Sequence, residues 1–283
     1  MKRLAVLLLA LLVWMPSLAP AAVLETNEWD NLTRTDWSYC CGSKPSIDAT
    51  VTSPSGGNTL KFHYEPGTYS ASTGGGKADY AALTGQEVYV GHWIKWSSNW
   101  VWHPIGSKVD YAFRNLFSFT NQSTAAFTIH FLPGGQTMVF TSNIQGNGVF
   151  YPGTPHDYRV ALPDPIQFNR WYWFEYRLKL NAVTSDTNPP TYVNVVPNGE
   201  LQFWLDDVQI INRSDVRWTD RVGDSWHNAL HSPEYGGGGT SVIPTPGIDL
   251  WMDHTVISTT RIGRPGVGGD TTAPVAPANF IVR

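Results

Sequence analysis

Apolar and polar side chains alternate with a period of two along much of the chain, in short runs separated by Gly, Pro, Asn and Asp. In Tyr111 to Phe119, the positions Tyr111, Phe113, Phe117 and Phe119 share one face, and Ala112, Arg114, Leu116 and Ser118 the other. Ala125 to Leu132 repeats the pattern, with Phe127, Ile129 and Phe131 opposite Thr128 and His130; Pro133-Gly134-Gly135 then turns the chain into Gln136 to Thr141. Trp171 to Leu180 is the clearest strand: Tyr172, Phe174, Tyr176, Leu178 and Leu180 oppose Trp173, Glu175, Arg177 and Lys179. Gln86 to Trp96 alternates more loosely. Asn198-Gly199 reads as a tight turn opening a strand over Glu200 to Ile211, and Gly247 to Thr259 reads as the closing strand. Ser225 to His231 is expected as a short helix, followed by a loop at Gly236 to Gly239. Otherwise few stretches carry the 3.6-residue period of a long helix. The pattern predicts an all-β, antiparallel protein.

Composition agrees. Charged residues make up only 15%, while the 26 Gly and 20 Pro supply turns and the 13 Trp and 12 Tyr suit pleated surfaces. The first residues alter the picture of where the chain works. Lys2 and Arg3 precede an apolar run, Leu4 to Val13, and Ala19-Pro20-Ala21 offers a cleavage site for an export signal. Residues 1–21 are thus expected to be a signal peptide, 22–264 one large domain, and the product secreted. No later stretch approaches the roughly 20 apolar residues of a spanning helix, so no membrane partner is expected. Loss of the leader makes the chain two charges more acidic than its formal −4. That argues against nucleic acid as a partner, but a local basic cleft for an acidic polymer remains compatible with it. Cys40 and Cys41 are adjacent and have no other cysteine to pair with, so a vicinal disulfide, an intermolecular bridge and two thiols stay open. A monomer is expected.

Three segments together resemble the concanavalin A-like jelly-roll carbohydrate-active proteins, and within them the alginate and glucuronan lyases. Trp96-Ser97-Ser98-Asn99-Trp100 followed by Gly106-Ser107-Lys108 looks like the segment that carries a cleft lysine in those lyases. Trp171 to Arg177, with Asn198 to Asp207, looks like their paired strands ending in a W-x-D-G turn, and Asp249 to Asp253 with Ile257 to Gly263 looks like their last strand. The resemblance implies a two-sheet antiparallel jelly-roll sandwich and an extracellular polysaccharide partner. Only Lys108 carries over residue by residue. Where those lyases have a Ser-x-Arg strand and a Tyr-x-Tyr strand, this chain reads Ala126-Phe127-Thr128 and Met138-Val139-Phe140. Residues 265–283 read as a linker and the start of a truncated module resembling fibronectin type III.

β-Elimination of a uronate needs a group to neutralise the carboxylate, a base for the proton beside it and an acid for the leaving oxygen. Lys108 and Arg114 are candidates for the first role, His130 for the second and Tyr111 or Tyr89 for the third. The competing reading makes His130 a hydrogen-bonded sheet residue and Arg114 the partner of a carboxylate. Substrate binding falls to Trp100, Trp102 and His103, in a loop expected to be exposed, and to Glu175, Arg177 and Trp204. Hydrolysis would need two carboxylates roughly 5 to 9 Å apart; Glu175 and Glu200 are available, yet Glu175 beside Arg177 and Lys179 also suits a cross-strand ion pair. No catalytic metal spacing occurs and no cofactor is expected, with Asp206-Asp207 a candidate for structural Ca²⁺. A lyase-like enzyme, a non-catalytic carbohydrate-binding domain, a jelly-roll hydrolase and a structural adhesion or envelope protein all stay open.

Overall fold

The computed structural model describes residues 23–31, 37–40, 45–66, 75–79, 85–114, 125–142, 157–186, 194–236 and 246–266. The expected signal peptide, the expected tail module, Cys41 and the end of the Tyr111 to Phe119 run lie outside them.

All the strands pair antiparallel, in two sheets, and no α-helix occurs among the described residues. The first sheet runs β13 (Val208–Val216), β12 (Gly199–Leu205), β11 (Trp171–Lys179), β6 (Glu87–Trp96), β15 (Ile248–Ser258), β4 (Thr59–Tyr64) and β3 (Ser46–Asp48). β15 is long enough to pair β4 along its first half, and β1 (Val23–Asn27) along its second. The second sheet runs β10 (Asp157–Ala161), β9 (Thr137–Ser142), β8 (Ala125–Phe131), β7 (Ser107–Arg114), β14 (Trp226–Tyr235), β5 (Gly75–Asp79) and β2 (Trp37–Cys40).

The period-two pattern decides which side of each sheet is dry. Tyr172, Phe174, Tyr176 and Leu178 of β11 face Phe127, Ile129 and Phe131 of β8 and Met138 and Phe140 of β9 in one core. Aromatic edges and faces interlock there, with centroids 5.2 Å apart for Phe174 and Phe203 and 5.0 Å for Phe140 and Phe203. Full burial of each such ring contributes about 1.5–3 kcal/mol. Outside the first sheet, residues 259–264 fold back over β6 and β11. Ile262 joins Trp93, Trp173 and Val256 in a second apolar cluster. Gly91 makes room for it, because a Cβ there would lie 2.4 Å from the Trp173 ring.

Three local expectations change. Ser225 to His231 is not a helix: from Trp226 on it belongs to β14, where Trp226 pairs with Arg114 and His231 with both Asp110 and Gly76. Long-range pairing with two strands outweighs a weak local preference. Glu200 to Ile211 is two strands, joined at Asp206-Asp207, whose φ values of 50° and 67° make the left-handed turn a two-residue hairpin requires. Gly199 is not a turn residue but starts β12, where it pairs with Val216 so closely that a Cβ would come within 2.6 Å of the Val216 carbonyl.

Candidate functional site

Three of the residues singled out for chemistry meet on the outer face of the second sheet. Lys108 pairs across the ladder with His130 on one side and Glu234 on the other. Their side chains therefore share a face, with Val109, Ile129 and Phe131 pointing into the core behind them. A bulge follows Lys108 in β7 and another precedes Glu234 in β14, which re-aims the backbone at this point. Lys108 Nζ donates to Glu234 Oε2 at 2.8 Å and stands 5.8 Å from the centre of the Tyr111 ring. Burial and the neighbouring Lys108 ammonium push the His130 imidazole down to about 4, so it is neutral across ordinary pH. Its Nε2 is buried and has no hydrogen-bond partner among the described residues. A cation, a neutral imidazole, a phenol and a carboxylate thus converge from β7, β8 and β14. Glu234 was not legible as a partner of Lys108, because the two are separated by 126 positions and meet only through the β7–β14 pairing.

The other predicted residues lie elsewhere. Arg114 shares the inward face of β7 with Ala112; it is 1% exposed and its guanidinium lies 3.8 Å from Asp220 and 3.5 Å from Asp224. It therefore does not join Lys108 and His130. Trp100 and His103 are buried rather than exposed, because the loop folds inward: Trp100 packs on Tyr64 and Tyr235, and His103 on Tyr235. Trp102 is half-buried, stacked near Phe131 and occupying the space beside Gly135. Tyr89, Glu175, Arg177 and Trp204 belong to the outer face of the first sheet, on the opposite side of the sandwich, where the Tyr89 ring stacks 6.5 Å from that of Trp204. Arg177 pairs with Glu87 and Glu200, at 2.7 Å and 2.6 Å, and Glu200 also takes Lys179. Glu175 is fully buried and receives the backbone N–H groups of Ile262 at 2.7 Å and Gly263 at 3.0 Å. Burial outweighs these contacts and raises its carboxyl above the usual range. Trp204 is covered by the Arg261 guanidinium, 4.9 Å from its ring centre. Glu175 and Glu200 are thus each engaged by other groups. So are Asp206, which accepts from Arg170 and the Trp173 N–H, and Asp207, which accepts from Arg261 and the Arg264 N–H.

No family model matches the chain, and no curated protein matches it. Solved structures do. Alginate lyase vAL-1 from Chlorella virus superposes with a TM-score of 0.59 at 14% identity, over 84% of this chain and 100% of that one. The marine PL-14 alginate lyase from Aplysia kurodai gives 0.59 at 12% identity, over 85% and 100%. The endo-β-1,4-glucuronan lyase from the fungus Trichoderma reesei gives 0.56 at 13% identity, over 84% and 96%. The two antiparallel sheets of this chain are the jelly-roll fold on which these polysaccharide lyases are built.

Proposed function

We propose that the chain is a secreted lyase acting on an acidic polysaccharide, with its active face on the outside of the second sheet. The observation that carries this reading is the meeting of Lys108, Tyr111 and His130 on adjacent strands of a fold shared with alginate and glucuronan lyases. Lys108 has three N–H donors, of which Glu234 takes one, so two remain for a uronate carboxylate. Neutralising that carboxylate acidifies the neighbouring C–H. His130, neutral and without a competing bond at Nε2, accepts the proton. As the ring double bond forms, the C–O bond to the leaving sugar breaks, and the Tyr111 hydroxyl protonates the departing oxygen.

One observation favours a second reading. The Lys108–Glu234 pair neutralises the only cation placed among these groups in the described residues, which suits a face that holds a glycan without transforming it. The two separate in one experiment. The mature protein is incubated with alginate and with glucuronan, and the ultraviolet absorbance of an unsaturated uronate is followed. Growth of that absorbance with new reducing ends is the expected result. Reducing ends without it mean hydrolysis, and retention on the polymer without products means binding alone; either result sinks the lyase reading.

A further inference from the structure

Beneath the bulge that carries Lys108 and Tyr111, a polar cluster is sealed between the sheets. Asp110 and His231 reach it from β7 and β14 of the second sheet, His92 and Thr255 from β6 and β15 of the first. His92 and Asp110 have no solvent exposure, and His231 and Thr255 have 2% and 1%. His231 Nδ1 lies 2.7 Å from Asp110 Oδ1, and its Nε2 lies 2.8 Å from Thr255 Oγ1. Thr255 Oγ1 also accepts the Trp29 indole N–H at 3.0 Å. His92 stands differently. Its ring centre is 4.6 Å from that of His231, and its Nε2 is 3.3 Å from Asp110 Oδ2, yet neither ring nitrogen makes a hydrogen bond. Asp110 Oδ2 makes none either.

We propose that His92, Asp110 and His231 bind one divalent transition-metal ion of the zinc class, which ties the two sheets together beneath the candidate active face. One ligand atom from each residue lies within 4.8 Å of the other two, which places them around a common centre. A hydrogen-bond network alone leaves an imidazole and a carboxylate oxygen unsatisfied in a dry interior, an arrangement native cores avoid. A cation among them engages one His92 nitrogen and the free Asp110 oxygen at once. Two imidazoles and a carboxylate suit zinc and its neighbours, whereas Ca²⁺ and Mg²⁺ take oxygen ligands. The surroundings suit a ligated histidine too. With Nδ1 of His231 on the metal, its Nε2–H donates to Thr255 Oγ1, which retains a lone pair for the Trp29 N–H; this outer contact fixes the ring. The inference stands apart from the lyase reading, since it concerns what holds β6, β7, β14 and β15 together.

A site closed on all sides is filled during folding. The test is therefore to refold the whole mature chain, purified without metal-affinity resin, with and without Zn²⁺, then to remove free metal and measure bound metal and melting temperature. The expected result is about one zinc per chain and a melting temperature on the order of 10 °C above that of the metal-free protein. Refolding with Co²⁺ should give the visible absorption of a low-symmetry site. His92→Leu should lose the bound metal and the zinc-dependent shift while keeping its strand spectrum. The proposal is overturned if the wild type binds well below one equivalent and melts at the same temperature in either buffer. It is equally overturned if His92→Leu is as stable as the zinc-treated wild type, because an apolar replacement relieves two unsatisfied nitrogens only where no metal is present. Should His92→Leu fail to fold, the zinc content and cobalt spectrum of the wild type decide the matter.

Discussion

Lys108 and Glu234 hold each other at 2.8 Å on a half-buried surface, so the ligand affinity of this face depends on how that pair responds to a second carboxylate. Truncating Lys108 to Ala should lower kcat/KM on a uronic polymer by about thirtyfold, equivalent to about 2 kcal/mol for a partly desolvated ammonium–carboxylate contact. The melting temperature should barely change, and Lys108→Arg should retain part of the activity. Glu234→Gln has the opposite sign: it frees the ammonium and should lower KM for uronate substrates. Steady-state kinetics on both variants check the pair. His130 sets the pH response. Its imidazole is neutral above about 4 in the free protein, so activity is present above that pH and is lost as pH falls through it. The acid limb of kcat/KM should therefore lie near pH 4, and that of kcat should lie higher, because a bound carboxylate stabilises the imidazolium. His130→Ala should cost on the order of a hundredfold to ten-thousandfold in kcat. An acid limb near the ordinary histidine value in kcat/KM would argue that another group is the base.

Two bulges and one tightly covered glycine shape the elements that carry these residues. The irregularity between Lys108 and Tyr111 turns Asp110 inward toward the buried histidines while leaving Lys108 and Tyr111 on the outer face. On the other sheet, β6 lies flat under residues 259–264 only because position 91 lacks a side chain. Gly91→Ala would drive a methyl group into Trp173, itself held by Trp93 at 5.3 Å and by Ile262. That overpacking should cost about 1–3 kcal/mol, read as a lower urea midpoint with an unchanged slope. Gly134 offers the contrast. It has φ 89° and nothing near its missing Cβ, so Gly134→Ala should cost only the left-handed backbone strain of about 1–2 kcal/mol.

Taken as a whole, the sandwich keeps its charge in three layers. The outer face of the second sheet carries Lys108, Glu234 and His130. The outer face of the first sheet carries the Glu87, Arg177, Glu200 and Lys179 network and the strap over Glu175. Among the described residues, two buried polar groups lie between the sheets, one around Asp110 and one in which Arg114 meets Asp220 and Asp224. Arg114 is thus a structural cation. Arg114→Met removes the positive charge between two buried carboxylates and should destabilise the fold by about 3–5 kcal/mol. The melting temperature should then fall by on the order of 10 °C. Turnover measured well below the melting temperature should stay near wild type, since Arg114 does not reach the outer face. Loss of turnover in a fully folded Arg114→Met protein would return that residue to the catalytic set.

The all-β class, most strands and the inward faces of β8 and β11 were determined by the sequence alone, because a period of two is a local property that burial on one side of a sheet enforces. Phe127 and Ile129, like Tyr172 and Phe174, point inward as their alternation requires. The helix expected at Ser225 to His231 shows the limit of that logic, since β14 is a strand only because β5 and β7 flank it. The candidate site was half legible. Lys108 could be singled out through the family resemblance and His130 by residue type and strand face, but the outward turn of Tyr111, the inward turn of Arg114 and the partnership of Glu234 depended on the bulge in β7 and on pairings between distant strands. Trp100 and His103 looked exposed because a polar-flanked loop gives no sign that it will fold inward against Tyr235. The cluster of His92, Asp110 and His231 has no sequence spacing at all. Two sheets must close face to face before those three side chains share one dry space, and that closure is a property of the tertiary structure.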